Sequence, residues 1–143
     1  MREILFRAKA INRIKGREYR TNYKNGDWVY GLITRFYDSR FPILPAQMKN
    51  TYGVDGIDID CETIGQYTGL TDKNGTKIFE GDIIQDGNCE YNKYVVEYSP
   101  ERGEFLPFAH GDGCGCCETA TTYDSTCHTV IGNVYDNPEL LKE

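Results

Sequence analysis

The sequence of 143 residues is poor in the features that mark exported, membrane-bound and most catalytic proteins. No stretch approaches the ~20 consecutive apolar residues that a membrane-spanning helix needs. The first seven residues include Arg2, Glu3 and Arg7, so charges stand where a signal peptide carries its apolar run. These absences exclude the common secreted and membrane classes, and we expect a soluble protein of the cytoplasm.

Catalytic signatures are scarce as well. The chain lacks the G-x-x-x-x-G-K phosphate loop, the G-x-G-x-x-G nucleotide motif and a serine nucleophile elbow. It has only two histidines, and a pairing of Cys116 or Cys117 with His128 has the residue types of a thiol nucleophile but no visible orienting group. The sequence therefore predicts a protein that is not an enzyme, with a thiol- or metal-dependent activity as the least favoured alternative.

Four of the six cysteines are clustered near the carboxyl terminus. Cys114 and Cys117 have the C-x-x-C spacing at which a tight turn directs two thiolates at one zinc ion. Either Cys127 or His128 could supply a further ligand, since neighbouring residues on a strand point to opposite faces. A full set of four ligands then needs Cys116, His110 or another chain. Because a reducing cytoplasm disfavours disulfides, three alternatives stay open: reduced free thiols, a structural zinc site and a redox pair.

Charge is divided unevenly along the chain, whose formal net charge is −6. Residues 1–52 carry 11 Lys and Arg against 4 Asp and Glu, whereas residues 53–143 carry 5 against 18. The sign changes in residues 38–54, which contain two prolines and no periodic pattern and are expected to form a boundary or long connection. We predict a basic N-terminal β region over residues 1–52 and an acidic barrel-like region over residues 53–143, together forming one compact unit. Such opposite charges favour attraction between the two parts or between neighbouring molecules.

The basic segment after the first predicted strand has the composition of a nucleic-acid contact. Its cations are interleaved with aromatic rings, an arrangement suited to single-stranded bases: Arg13, Lys15, Arg17, Tyr19, Arg20, Tyr23 and Lys24. The acidic total charge disfavours extensive phosphate neutralisation. A solvated basic hairpin, or one docked on the acidic half, is therefore favoured, with nucleic-acid contact as the alternative.

Alternation of apolar and polar residues predicts a protein built mainly of short β-strands. In residues 4–11, apolar side chains occupy one face and two cations the other: Ile4, Phe6, Ala8 and Ala10 against Arg7 and Lys9. Residues 28–37 are rich in aromatic and β-branched side chains and predict a second, well-packed strand. Asn25-Gly26 and Asn74-Gly75 are typical of tight turns.

Residues 57–64 also alternate and predict a further strand. Cys61 and Thr63 would point inward with the isoleucines, while the carboxylates form a solvated outer row of Asp58, Asp60 and Glu62. Cys89 is expected, like Cys61, to be a small buried hydrophobe. At the end of the chain, Asn137 as N-cap and Pro138 at the first helical position predict a short helix.

Four segments resemble the YopX family of phage and prophage proteins: residues 2–8 (REILFRA), 66–75 (QYTGLTDKNG), 78–84 (IFEGDII) and 131–141 (IGNVYDNPELL). The resemblance runs nearly end to end. It implies a mainly β protein whose C-terminal part is an SH3-like small barrel, from a Gram-positive phage or prophage and hence from the cytoplasm of a bacterial host. The family has no established activity, so the resemblance supplies no catalytic residues, and the cysteine cluster is not part of the family pattern.

Within these segments, the turn residues are expected to specify the fold. Gly69, Gly75, Gly81 and Gly132 are expected to supply positive φ angles or close backbone approach. Asp82 is expected to accept hydrogen bonds in a turn. The stretch 66–69 is the one motif with an alternative interpretation as a ligand-contacting loop.

The leading functional hypothesis is a non-enzymatic phage or prophage accessory protein that binds a protein partner or itself. Head-to-tail self-association follows from the opposite charges of the two halves. The alternative is a small nucleic-acid-binding module that uses the basic N-terminal region, and the third candidate is a metal- or thiol-dependent enzyme.

Overall fold

A computed structural model describes residues 3–11, 23–35, 46–86, 93–101, 103–106 and 128–141. The described chain is mainly β, as predicted from the alternation. Its strands are β1 Phe6–Lys9, β2 Trp28–Arg35, β3 Ala46–Asn50, β4 Ile57–Ile59, β5 Gly65–Thr71, β6 Lys77–Phe79, β7 Asp82–Asp86, β8 Lys93–Val95, β9 Glu97–Ser99, β10 Glu104–Leu106 and β11 His128–Asn133. Short 3₁₀ turns occupy Cys61–Thr63 and Pro138–Leu141.

The chain divides into two compact units, Met1–Gln66 and Tyr67–Glu143. The first unit has 11 Lys and Arg against 8 Asp and Glu, and the second has 5 against 14. Residues 53–66, which follow the charge-based boundary in the sequence, thus lie in the first unit and bring four carboxylates to it. The first unit remains net basic and the second strongly acidic.

The first unit is an antiparallel sheet in which β1 to β4 are neighbours in chain order. The register places Arg7 opposite Tyr30 on β1 and β2, and Leu32 opposite Lys49 on β2 and β3. At the end of β1, Ala10 forms an isolated bridge with Ile59. The last strand of the four therefore meets the first at one end.

The core of the first unit lies on one face of this sheet. It is formed by small and branched apolar side chains that are at most 3% exposed: Ala8, Ala10, Val29, Ala46, Met48, Ile57 and Ile59. The predicted inward face of β1 is confirmed at Ala8 and Ala10, but Ile4, which lies before the strand begins, is 65% exposed. Arg7 was expected to face solvent and is instead buried.

Strand β3 lies inside the segment that the sequence suggested as a connection. β3 lies so close to β2 that a Cβ added at Gly31 would collide with the carbonyl oxygen of Lys49. At the end of β3, the Asn50 side-chain oxygen accepts from the backbone N–H groups of Tyr52 and Val54 at 3.0 and 2.8 Å. A buried amide thus holds the turn that leads to β4.

The predicted strand over residues 57–64 is only partly correct. β4 ends at Ile59, and Asp60 starts a 3₁₀ turn by accepting from Glu62 N–H at 3.1 Å. Thr63 is buried as expected, and its hydroxyl donates to the Asp60 carbonyl at 2.7 Å and accepts from Lys9 N–H at 2.8 Å. The alternation stops because these local hydrogen bonds compete with the strand ladder.

The second unit contains the end of β5 with β6, the three strands in the order β11-β7-β8, and the β9–β10 hairpin. Ile78, Ile84 and Val96 are fully buried at its core. The described strands of this unit are antiparallel and do not form a closed barrel. In the turn of the β9–β10 hairpin, Gly103 N–H donates to the Ser99 carbonyl at 2.8 Å.

Asp72 fastens the turn between β5 and β6 to β11. One carboxylate oxygen accepts from Asn74 and Thr76 N–H at 2.8 and 2.9 Å, and the other accepts from Val130 N–H at 3.0 Å. Burial opposes ionisation of Asp72, but the three backbone donors and the charge of Lys73 outweigh it and lower the pKa of the carboxyl group below its ordinary value. Asp72 is therefore a charged clamp within the second unit.

The turn residues singled out in the sequence behave as expected. Asp82 accepts from Phe79 N–H at 2.8 Å, and Gly81 beside it has a φ of 90°. Gly132 serves close approach instead, because a Cβ there would lie 2.6 Å from the side-chain oxygen of Asn137.

The carboxyl-terminal segment forms a 3₁₀ turn over Pro138–Leu141, where a short helix was expected. Asn137 does not act simply as the predicted cap, since its side-chain oxygen accepts from Asn133 N–H behind it at 3.3 Å. Its carbonyl accepts from Leu140 N–H at 3.1 Å, which is the hydrogen bond of a single turn.

Candidate functional site

The outer face of β1, β2 and β3, opposite the core of the first unit, combines cations with large apolar side chains. Residues paired across antiparallel strands point to the same side, and side chains two apart on a strand share a face. The register therefore gathers one set on this surface, which we call the basic sheet face: Arg7, Lys9, Trp28, Tyr30, Leu32 and Lys49.

The tryptophan at one end of the basic sheet face is covered by cations of its own chain. The Arg7 guanidinium lies 4.6 Å from the centre of the Trp28 ring, and the Lys9 ammonium lies 5.4 Å from it. Both distances fall within the range of cation–π attraction. Trp28 is half-buried and Arg7 is only 6% exposed, so this end of the face is preorganised.

The other end of the basic sheet face is open to solvent. Tyr30 is 40% exposed and Leu32 is 50% exposed, and Lys49, opposite Leu32, is also exposed. Beyond Lys49, Gln47 donates from its side-chain nitrogen to Asp58 on β4 at 2.8 Å. The face thus has an apolar centre, cations around it and the hydrogen-bonded carboxylate of Asp58 towards its β4 edge.

This arrangement is suited to binding rather than to bond breaking. An exposed tyrosine and leucine offer apolar area that gains free energy when covered. Lys9 and Lys49 beside them favour a partner with carboxylates or phosphates. The buried carboxylates of the second unit have other tasks, since Asp72 and Asp82 accept backbone N–H groups in turns.

Most of the residues predicted to contact nucleic acid lie outside the described residues: Arg13, Lys15, Arg17, Tyr19 and Arg20. Tyr23 is half-buried against the core of the first unit, and its hydroxyl accepts from the Asn50 side-chain nitrogen at 3.0 Å. Lys24 is exposed, and its backbone N–H donates to the Asp27 carboxylate at 2.9 Å. Nucleic-acid contact by this segment stays a prediction.

Four of the predicted metal ligands also lie outside the described residues: Cys114, Cys116, Cys117 and Cys127. His128, the fifth candidate, is fully buried at the start of β11, with its ring edge-on to Tyr94 at 6.4 Å. Its carbonyl accepts from Lys73 N–H at 3.1 Å, next to the Asp72 clamp. Within the described ranges, no three His, Cys, Asp or Glu side chains are grouped as a metal site, and the choice among free thiols, zinc and a redox pair stays open.

Two further sequence candidates take structural roles. The stretch 66–69 belongs to strand β5, where Tyr67 is buried against Phe79 and the Thr68 hydroxyl donates to the Ile78 carbonyl at 2.9 Å. Cys61 is half-buried against the core of the first unit and has a free thiol, close to the expectation of a buried hydrophobe. Cys89 lies outside the described residues.

The basic sheet face was not predicted as a site. Every residue from Trp28 to Ile33 except Gly31 is apolar or aromatic, so the sequence indicates a well-packed strand without showing which side faces solvent. The sequence signal that could have revealed this face was the pair of cations Arg7 and Lys9. Side chains that lie opposite them in a hairpin must point to the same side of the sheet.

The described part of the chain holds no helix with the length and apolar character that a membrane crossing requires.

Comparisons with known proteins identify relatives of this chain. It is similar to the protein EF1440 from Enterococcus faecalis, whose crystal structure matches with a TM-score of 0.51 and 25% sequence identity over 99% of this chain and 100% of the other. No curated protein matches the sequence. The family described as YopX protein matches residues 10–142, nearly the whole chain. This chain therefore belongs to the YopX family.

Proposed function

We propose that the chain is a non-enzymatic accessory protein of a phage or prophage that binds a protein partner through the basic sheet face. The observation that carries this proposal is the exposure of Tyr30 and Leu32 on the sheet face that also carries Lys9 and Lys49. Membership of the YopX family supports the phage or prophage origin, and with it a place in the cytoplasm of the bacterial host.

The chemistry of the face favours an acidic polypeptide segment with apolar side chains. Carboxylates of such a partner would pair with the two lysines, while its apolar groups would cover Leu32 and Tyr30. Apolar contacts at the centre with charge at the rim are the usual anatomy of protein interfaces.

Protein is favoured over nucleic acid for two reasons. The Trp28 ring already contacts Arg7 and Lys9 at 4.6 and 5.4 Å, so a base would have to displace those cations to stack on it. Leu32, at the open end, has no aromatic surface for stacking, which is the main sequence-independent contribution to single-strand binding.

The fold of the second unit fits this role. We include in the proposal that it is an SH3-like small barrel. The antiparallel order β11-β7-β8 and the separate β9–β10 hairpin support this assignment. Small barrels of this kind commonly act as binding modules.

Fluorescence anisotropy tests the proposed partner chemistry with defined probes. The main probe is a labelled peptide in which Glu alternates with Leu and Tyr. A peptide with Lys in place of Glu and a single-stranded oligonucleotide with the same number of negative charges serve as matched probes. We expect the chain to bind the acidic peptide more tightly than either of the other two.

Variants then locate the binding surface. Tyr30→Ser combined with Leu32→Ser is expected to weaken peptide binding by about tenfold or more, since truncating exposed anchor residues commonly costs over 1 kcal/mol. Leu70→Ser, at a leucine of the second unit that is 37% exposed, is the matched control and is expected to bind as the wild type does. Tight binding of the oligonucleotide alone, or equal binding by the double variant, would contradict the proposal.

A further inference from the structure

The β9–β10 hairpin of the second unit has the chemistry that the basic sheet face requires. Its two strands pair only with each other among the described residues, with Tyr98 opposite Phe105 and Ser99 opposite Glu104. Side chains alternate between faces along these strands, so Glu97 and Glu104 share one side. Both carboxylates are exposed, and Glu101 in the connecting turn is exposed as well.

Apolar surface accompanies these carboxylates. Leu106, paired with Glu97, shares the side of the carboxylates and is half-buried. Tyr98 and Phe105 lie on the other side of the hairpin, where Tyr98 is 47% exposed and the two ring centroids are 5.3 Å apart. Residues 97–106 contain three Glu against one Arg, whereas the basic sheet face contributes three cations. The hairpin and the face are therefore opposite in charge, and each has a leucine beside its charged groups, Leu106 on the hairpin and Leu32 on the face.

We infer that the hairpin of a second copy of this chain occupies the basic sheet face. Leu32 and Lys49 on the face are exposed within a single copy, as are Glu97 and Glu104 on the hairpin, so these side chains are available to another molecule. The first unit, Met1–Gln66, is net basic and the second, Tyr67–Glu143, is net acidic. These opposite net charges attract the first unit of one copy to the second unit of another over a longer range than the contact itself. This inference rests on the proposed function and names its partner.

The contact joins unlike surfaces. Two copies that exchange hairpins reciprocally form a closed dimer, whereas copies that cannot close form an open chain. In both arrangements the contact is electrostatic at its rim, so it weakens when salt shortens the reach of charges.

Sedimentation velocity of the full chain at about 50 and 500 mM NaCl provides the test, since these concentrations bracket strong and weak screening. We expect association of the wild type at low salt and its loss at high salt. Lys49→Glu on the face, and Glu97→Lys with Glu104→Lys on the hairpin, are each expected to reduce association at least about tenfold. Lys73→Glu, at an exposed lysine of the second unit, is the matched control and is expected to associate like the wild type.

Mixing the two defective variants gives the decisive measurement. Each variant keeps the surface that the other has lost, so the mixture is expected to form a heterodimer while each protein alone stays monomeric. This rescue also shows that both variants are folded. A wild type that is monomeric at low salt, or a mixture that fails to associate, would overturn the inference.

The proposed function is tested separately by the acidic peptide. Peptide binding that depends on Tyr30 and Leu32, in a chain that never self-associates, would refute the second copy as partner and leave the binding face intact. A chain that neither binds the peptide nor self-associates would refute the proposed function and the inference together.

Discussion

Replacing Asp72 by Asn should destabilise the second unit measurably, because the charged clamp depends on three backbone donors. An asparagine oxygen can keep the bonds from Asn74 and Thr76 N–H, but its amide nitrogen would then face the Val130 N–H, which now donates at 3.0 Å. A hydrogen bond to a charged group contributes about 1.5–3 kcal/mol, and a buried donor left without an acceptor costs a similar amount. We therefore expect Asp72→Asn to lower the free energy of unfolding by about 2–3 kcal/mol at pH 7.

The same clamp predicts a pH dependence. Because the pKa of Asp72 is lowered in the folded state, its contribution is fully present above the ordinary aspartate pKa of about 3.9. It is lost as pH falls through the lower folded-state pKa. The difference in unfolding free energy between wild type and Asp72→Asn should therefore be constant near neutrality and shrink below about pH 4.

Urea unfolding followed by tyrosine fluorescence and circular dichroism measures both effects. Asp55→Asn is the control, since the Asp55 carboxylate also accepts a turn N–H, from Gly56 at 2.7 Å, but is exposed. That change is expected to alter stability by less than about 0.5 kcal/mol, as is usual for surface positions. An Asp72→Asn protein as stable as the wild type at pH 7 would refute the role of Asp72 as a clamp.

Two further substitutions test the packing by urea unfolding. Gly31→Ala should lower stability by about 1–3 kcal/mol, because the added methyl group meets the Lys49 carbonyl and β2 and β3 must separate; unchanged stability would show that the strands approach less closely. Thr68→Val should cost about 1–2 kcal/mol by removing the buried donor to the Ile78 carbonyl, while Thr71→Val, at an exposed position of the same strand, should be nearly neutral. Equal effects of the two threonine changes would contradict the burial of that hydrogen bond.

The sequence predicted the strands and turns well where one local signal dominated. Alternation at Ala8 and Ala10 and the Asn-Gly pair before β2 were sufficient, because side-chain period and positive φ are local properties. Gly26 indeed has a φ of 91° and its N–H donates to the Ala10 carbonyl at 2.8 Å. The sequence also predicted that Asp82 accepts a hydrogen bond in a turn, and Phe79 N–H donates to it.

Other features depended on contacts between distant segments. Arg7 was expected to be solvated, yet its guanidinium is buried beside Trp28, which is 21 positions away and becomes a neighbour only when β1 and β2 pair. The alternation after Ile59 indicated a continued strand, but Asp60 and Thr63 form a local hydrogen-bonded turn instead. The spacing of apolar residues alone does not distinguish a solvated cation from a buried one, or a continued strand from a turn.

The candidate site was hidden for a related reason. Trp28, Tyr30 and Leu32 are hydrophobic by composition, so the sequence assigns them to a core. Only the register with Lys9 and Lys49 shows that they share a face with cations and that Leu32 remains half exposed.

The binding role of the basic sheet face is tested most directly by a residue-resolved titration. Backbone amide resonances of the ¹⁵N-labelled chain would be followed by NMR as the unlabelled Glu-Leu-Tyr peptide is added. We predict that the largest shifts occur at Tyr30, Leu32 and Lys49, and that Leu70 in the second unit is unaffected. Shifts confined to residues outside the first unit, or no shifts at saturating peptide, would contradict the account.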